Sequence, residues 1–178
     1  NWSIEVTPPG AAKIEDFSAI LAEGTTVNVT FLPGTNPVDT IDVAKRLRDA
    51  GLVPVPHIAA RSLKSKEQLA ELVADMTARA NIDEVLVIGG GVTHPVGEFA
   101  SSMEVLETGI LQSAGIRKIG VSGHPEGSPD IKDNLLADAL AWKNEYAKKE
   151  GLDLYIETQF CFDADAVVAW EKRIRADG

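Results

Sequence analysis

The side chains best placed for chemistry are Glu5, Thr30, His57, His124 and Gln159, together with the turn Gly89-Gly90-Gly91. Each falls at the carboxyl end of a predicted strand. Open α/β sheets and (β/α)₈ barrels both bind small molecules at that edge. The pattern therefore predicts a small-molecule site. Glu5 stands out because an acidic side chain on the inner face of a first strand is costly unless it is paired or used. The other reading of Glu5 is a solvated strand-end carboxylate. Alternation along the last strand sets Glu157 and Gln159 on one face. The glycine turn lets a backbone approach a ligand closely, or is simply a flexible loop. Phe160 and Phe162 could wall an apolar pocket, or pack against helices.

Other chemistries are absent from the pattern. No Ser/His/Asp signature or G-x-S-x-G is present. His57, His94 and His124 are far apart in sequence and form no H-x-x-x-H pair, so no metal site is predicted. Cys161 is the only cysteine, which excludes an intrachain disulfide and a C-x-x-C site. A reducing cytoplasm fits that usage. The net charge of -10 argues against nucleic acid or an anionic membrane as partner. No apolar run approaches the roughly 20 residues that span a bilayer.

The elements that position these residues alternate. Strands are predicted at 2–6, 26–31, 52–58, 84–88, 118–122 and 152–160. Helices are predicted at 38–50, 65–80, 101–114, 133–149 and 164–175. Val27, Val29 and Phe31 share one face of the second strand. Pro54 and Pro56 make the third unusual by removing backbone donors. Gly51 ends the first helix, Ser65 caps the second, and Asp163 caps the last. The spacing predicts a parallel sheet with helical crossovers, as a doubly wound sheet or a (β/α)₈ barrel.

Several motifs in order carry a more specific likeness. Ser3-Ile4-Glu5-Val6-Thr7-Pro8-Pro9 resembles the first-strand S-x-E-x-x-P-P of the methylenetetrahydrofolate reductase family. Val27-Asn28-Val29-Thr30 is similar to its V-x-V-T, and Pro56-His57 to its third-strand P-H. Phe99-Ala100-Ser101 resembles its Y-A-S, and Pro125-Glu126 its P-E. Thr158-Gln159-Phe160-Cys161-Phe162-Asp163 is close to its T-Q-x-x-F-D.

The resemblance implies a (β/α)₈ TIM-type barrel, here one domain over 1–178 holding about six βα units. It further implies that the chain is a segment of a longer protein, or that a partner covers the gap. It implies a cytoplasmic oxidoreductase of one-carbon metabolism. NAD(P)H would reduce FAD, and the flavin would reduce 5,10-methylenetetrahydrofolate to 5-methyltetrahydrofolate. Glu5 would be the acid that opens the folate ring, a role that requires burial. Gln159 would orient the pterin. Thr30, His57, Gly89, Gly90, Gly91, Phe99, Ala100, His124 and Asp138 would line the flavin site. The chain departs from the family at Gly91, where an aspartate is usual, and near Glu145, where a phosphate-binding cation is expected. Those departures open two alternatives: a flavin-independent member with direct hydride transfer, or a non-catalytic folate-binding barrel. Glu157 could supply the charge that Gly91 lacks. A possible homo-oligomer completes the expectations.

Overall fold

The structure, a computed structural model, describes residues 2–177. Strands and helices alternate: β1 (Ser3–Val6), α1 (Pro8–Ala11), β2 (Thr26–Val29), α2 (Pro37–Asp49), β3 (Val53–Ala59), α3 (Lys66–Ala80), β4 (Glu84–Ile88), α4 (Ser102–Glu107), α5 (Ile110–Ser113), β5 (Lys118–Gly123), α6 (Asp133–Glu150), β6 (Asp153–Thr158) and α7 (Ala164–Ala176). The chain is thus α/β. It divides into two compact units, 1–117 and 118–178.

In the first unit, β1 to β4 lie side by side in chain order, each parallel to the next. Alternation gives the sheet two unlike faces. Val27, Val29, Pro54, Pro56, Ile58, Val85 and Val87 share one face and are all buried. The helices bring Ile41, Ala44 and Leu47 of α2 and Leu69, Val73 and Met76 of α3 to the buried core. The opposite face carries Ser3, Glu5, Thr26, Asn28, His57 and Glu84.

The prolines of β3 fit because their missing donors point one way. Val53 N–H donates to Thr25 C=O at 3.0 Å, so the odd-numbered residues face β2. Pro54 and Pro56 therefore face the β4 side, where pairing runs only from His57↔Leu86 to Ala59↔Ile88. Caps set the helix starts. Asn36 Oδ1 accepts from Val38 N–H at 3.1 Å, with Pro37 as the first helical residue. Ser65 Oγ accepts from Gln68 N–H at 3.3 Å. The single helix expected over 101–114 is two short ones, because Gly109 adopts φ +70° between them.

In the second unit, β5 and β6 are parallel, paired from Lys118↔Asp153 to Gly123↔Thr158. Gly123 leaves room for the side chains packed against it. A Cβ there would lie 2.6 Å from Ile156 and 2.7 Å from the Trp170 ring of α7. Asp163 caps α7 by accepting from Asp165 and Ala166 N–H at 2.9 and 3.1 Å. No described helix is long and apolar enough to cross a membrane.

Candidate functional site

The first unit gathers Glu5, Thr30 and His57. Register sets Glu5 beside Asn28, and Val29 beside Pro56, so Thr30 follows at the level of His57. Thr30 Oγ1 donates to Glu5 Oε1 at 2.5 Å, and Thr30 N–H donates to Val6 C=O at 3.0 Å. This ties the carboxylate to the end of β2. Glu5 is nevertheless exposed, contrary to the burial that an acid role requires. The reason is local. β1 has only four residues and pairs with β2 alone among the described strands, so little protein covers its polar face.

His57 is buried, 6 % exposed, and its Nε2 has no hydrogen-bond partner among the described residues. Burial pushes the imidazole below its ordinary pKa, and the nearby Glu5 charge opposes this in part. The side chain is therefore neutral at pH 7. Asn28 and Glu84, 1 % and 5 % exposed, share this face, and Asn28 Nδ2 lies 3.5 Å from Ser3 Oγ. Sequence reasoning assigned them no role. The signal was available: Asn28 sits between Val27 and Val29 in a strand whose alternate residues are core.

Gly89, Gly90 and Gly91 follow β4. Gly90 has φ +91°, and a Cβ there would lie 3.2 Å from that of Ala59, whereas Gly89 and Gly91 face open space. Arg61 fastens the loop beyond them, donating to Ala100 C=O at 2.9 Å and to Val92 C=O at 3.5 Å. Phe99 is buried and lines a separate cavity of about 430 Å³ with Lys66, Glu98, Glu104, Glu107 and Thr108. Ala100 is fully engaged through its backbone, since its N–H also donates to Glu104 Oε2 at 2.5 Å.

The second unit brings His124 and Gln159 together. Both line a cavity of about 250 Å³ with Glu126, Phe160 and Cys161. Gln159 N–H donates to Gly123 C=O at 2.7 Å, which fixes the backbone and leaves the amide at the cavity wall. His124 is half-buried. Desolvation lowers its pKa first, and the Lys143 charge lowers it further. Lys143 is itself buried, and desolvation holds its ammonium below the usual lysine range. Lys143 escaped sequence reasoning because a lone lysine in a charged helix reads as surface. Its spacing of four from buried Ala147 was the clue. Glu157 lies on the Gln159 side of β6, by alternation from Ser122↔Glu157. Asp138 is exposed on α6.

Among the described residues no group of three or more His, Cys, Asp or Glu side chains could hold a metal ion. No family model matches the sequence.

Proposed function

We propose that the protein is a methylenetetrahydrofolate reductase-like oxidoreductase, carrying part of a (β/α)₈ barrel. It would reduce 5,10-methylenetetrahydrofolate with NAD(P)H as the second substrate. The observation that carries this reading is the Thr30–Glu5 hydrogen bond at the strand ends beside buried His57. It supports the reading because it unites three of the motif positions in one place.

FAD does not fit the residues where the resemblance would seat it. Phe99 lines a cavity with Lys66, Glu98, Glu104 and Glu107, where three carboxylates outweigh one ammonium and a pyrophosphate would meet net like charge. The Ala100 N–H and C=O are both spent within the protein. Gly91 brings no carboxylate, and Glu145 is paired with Lys148 at 3.0 Å rather than replaced by a cation. Direct hydride transfer is therefore the favoured chemistry.

The step balances without a flavin. A proton reaches N10 of the folate, the bond from the bridging carbon to N10 breaks, and an N5 iminium forms. Hydride from the reduced nicotinamide adds to that carbon, leaving the N5-methyl product and oxidised nicotinamide. Glu5 supplies the proton. Since it is exposed in the free protein, the ligand itself must exclude water from it on binding. Thr30 holds the carboxyl group in place.

The test is oxidation of reduced nicotinamide by the purified, colourless protein, with and without 5,10-methylenetetrahydrofolate. Folate-dependent oxidation is expected. Glu5→Gln should lower kcat by about 10²–10⁴-fold, the usual contribution of a positioned acid. Glu157→Gln should lower kcat more than it raises KM if the reaction draws on the Glu157 charge. A wild-type protein that binds folate without oxidising nicotinamide, and is indifferent to Glu5→Gln, would instead be a binding barrel.

A further inference from the structure

Phe160 and Phe162 are each 83 % exposed, although they follow a strand whose middle is half-buried. They are not loose. Glu126 Oε1 accepts from Phe162 N–H at 2.7 Å and from Asp163 N–H at 2.5 Å, and Asp163 in turn caps α7. The rings meet edge to face, with centroids 4.8 Å apart. A carboxylate of the cavity wall thus fixes the turn that presents two phenyl rings to water. Exposing an aromatic ring this way forfeits burial that a core position would have gained.

Phe160 also forms part of the cavity wall, together with Gln159 and His124. Glu126 Oε1 is engaged by two N–H donors, and the His124 imidazole is kept neutral by burial and by Lys143. The wall thus offers a ligand one flat apolar ring, one amide with a donor and an acceptor, and one uncharged imidazole, beside the Glu126 carboxylate and the Cys161 thiol. That set is complementary to a neutral planar heterocycle with a donor–acceptor edge. The lining residues include no lysine or arginine to hold a phosphate.

We propose that Phe160, braced by Phe162, is a stacking platform for the flat ring of the ligand whose edge Gln159 reads. Within the function proposed above, on which this identification of the ligand rests, that ring is the pterin. The platform itself rests only on the cavity.

The experiment is equilibrium titration of the full chain with 6-methylpterin alone and, separately, with 5-methyltetrahydrofolate. Phe160→Ala should weaken 6-methylpterin binding about tenfold, consistent with the stacking contribution measured for flat bases on aromatic side chains. Phe160→Tyr should restore it. Thermal unfolding of both variants should match the wild type, because the ring is solvent-exposed. Equal 6-methylpterin affinity for wild type and Phe160→Ala overturns the platform, as does a wild type that binds no 6-methylpterin. Pterin binding that depends on Phe160 in a protein with no reductase activity upholds the platform and overturns the reductase reading. Reductase activity with 6-methylpterin affinity indifferent to Phe160 does the reverse.

Discussion

The two units bury their polar groups in different ways. In the first, Asn28, His57 and Glu84 are sunk into the sheet between fully buried neighbours, with helices α2 and α3 filling the other face. In the second, the β6 residues are half-buried at best, and the largest buried side chain is Trp170. The first unit sets this buried polarity against an apolar layer on the opposite face of the sheet. The second has a smaller buried apolar set, Ile119, Val121, Ala147 and Trp170, with the Trp170 ring beside Gly123.

The contrast is broken most directly at its two supports. Trp170→Ala should cost about 3–5 kcal/mol, since it empties the space beside Gly123 and Ile156. Urea unfolding checks this, and a loss under about 1 kcal/mol would show that Trp170 is not the support claimed. Glycine replacement then sharpens the difference. At Gly97 a Cβ would fall 2.1 Å from the Lys64 carbonyl oxygen, a backbone atom. At Gly123 the obstacles are side chains of Ile156 and Trp170. Backbone cannot rotate away and side chains can. Gly97→Ala should therefore cost about 3 kcal/mol and Gly123→Ala nearer 1 kcal/mol, within the range for overpacking. Equal costs in the same unfolding measurement would remove the distinction.

How far the sequence reveals this molecule also differs between the two units. Strand β4 at Glu84–Ile88 is legible to the residue, because its apolar run ends at three glycines. The parallel α/β class follows from spacing alone. The cap at Ser65 and the cap at Asp163 are legible because their side-chain oxygens are the nearest acceptors for the first free N–H groups. The helix α1 at Pro8–Ala11 is not, since two prolines read as a stop although both suit a first helical turn. For the site, motif order picks out Glu5, Thr30 and His57, which do share a face. The exposure of Glu5 is illegible, because it depends on how much protein lies over a four-residue strand. The exposure of Phe160 and Phe162 is illegible for the same reason: aromatic residues at a strand end look like core until the covering layer is known.

The buried bases give a pH contrast. His57 and Lys143 both have pKa values lowered by desolvation, so each binds a proton more readily in the unfolded chain. Stability therefore rises with pH wherever the unfolded state holds more protons. For His57 the stabilising neutral form is fully present above the unfolded value near 6.5 and is lost as pH falls below it. Unfolding midpoints measured from pH 7.5 to pH 5 should fall, and His57→Gln should flatten that slope. For Lys143 the same sign operates below the unfolded lysine value of about 10.4, so the ammonium weakens the fold at neutral pH. Lys143→Met should raise the midpoint at pH 7 by an amount that shrinks at pH 10. An unchanged midpoint at pH 7 would mean that the ammonium is solvated after all.

The smallest effects lie at the caps, where the two units are built alike. Ser65 accepts a single N–H at 3.3 Å, while Asp163 accepts two, at 2.9 and 3.1 Å, and carries a charge favourable to the helix dipole. Losing a cap costs about 0.5–2 kcal/mol. Asp163→Ala should fall toward the upper end and Ser65→Ala toward the lower. Asp163 also anchors the turn through its own N–H to Glu126, a bond that the alanine variant keeps. Asp163→Ala should accordingly lower the unfolding midpoint while leaving 6-methylpterin affinity within about twofold, well short of the factor expected of a lost stacking partner. A large affinity loss would mean that α7, not Glu126, holds the aromatic pair in position.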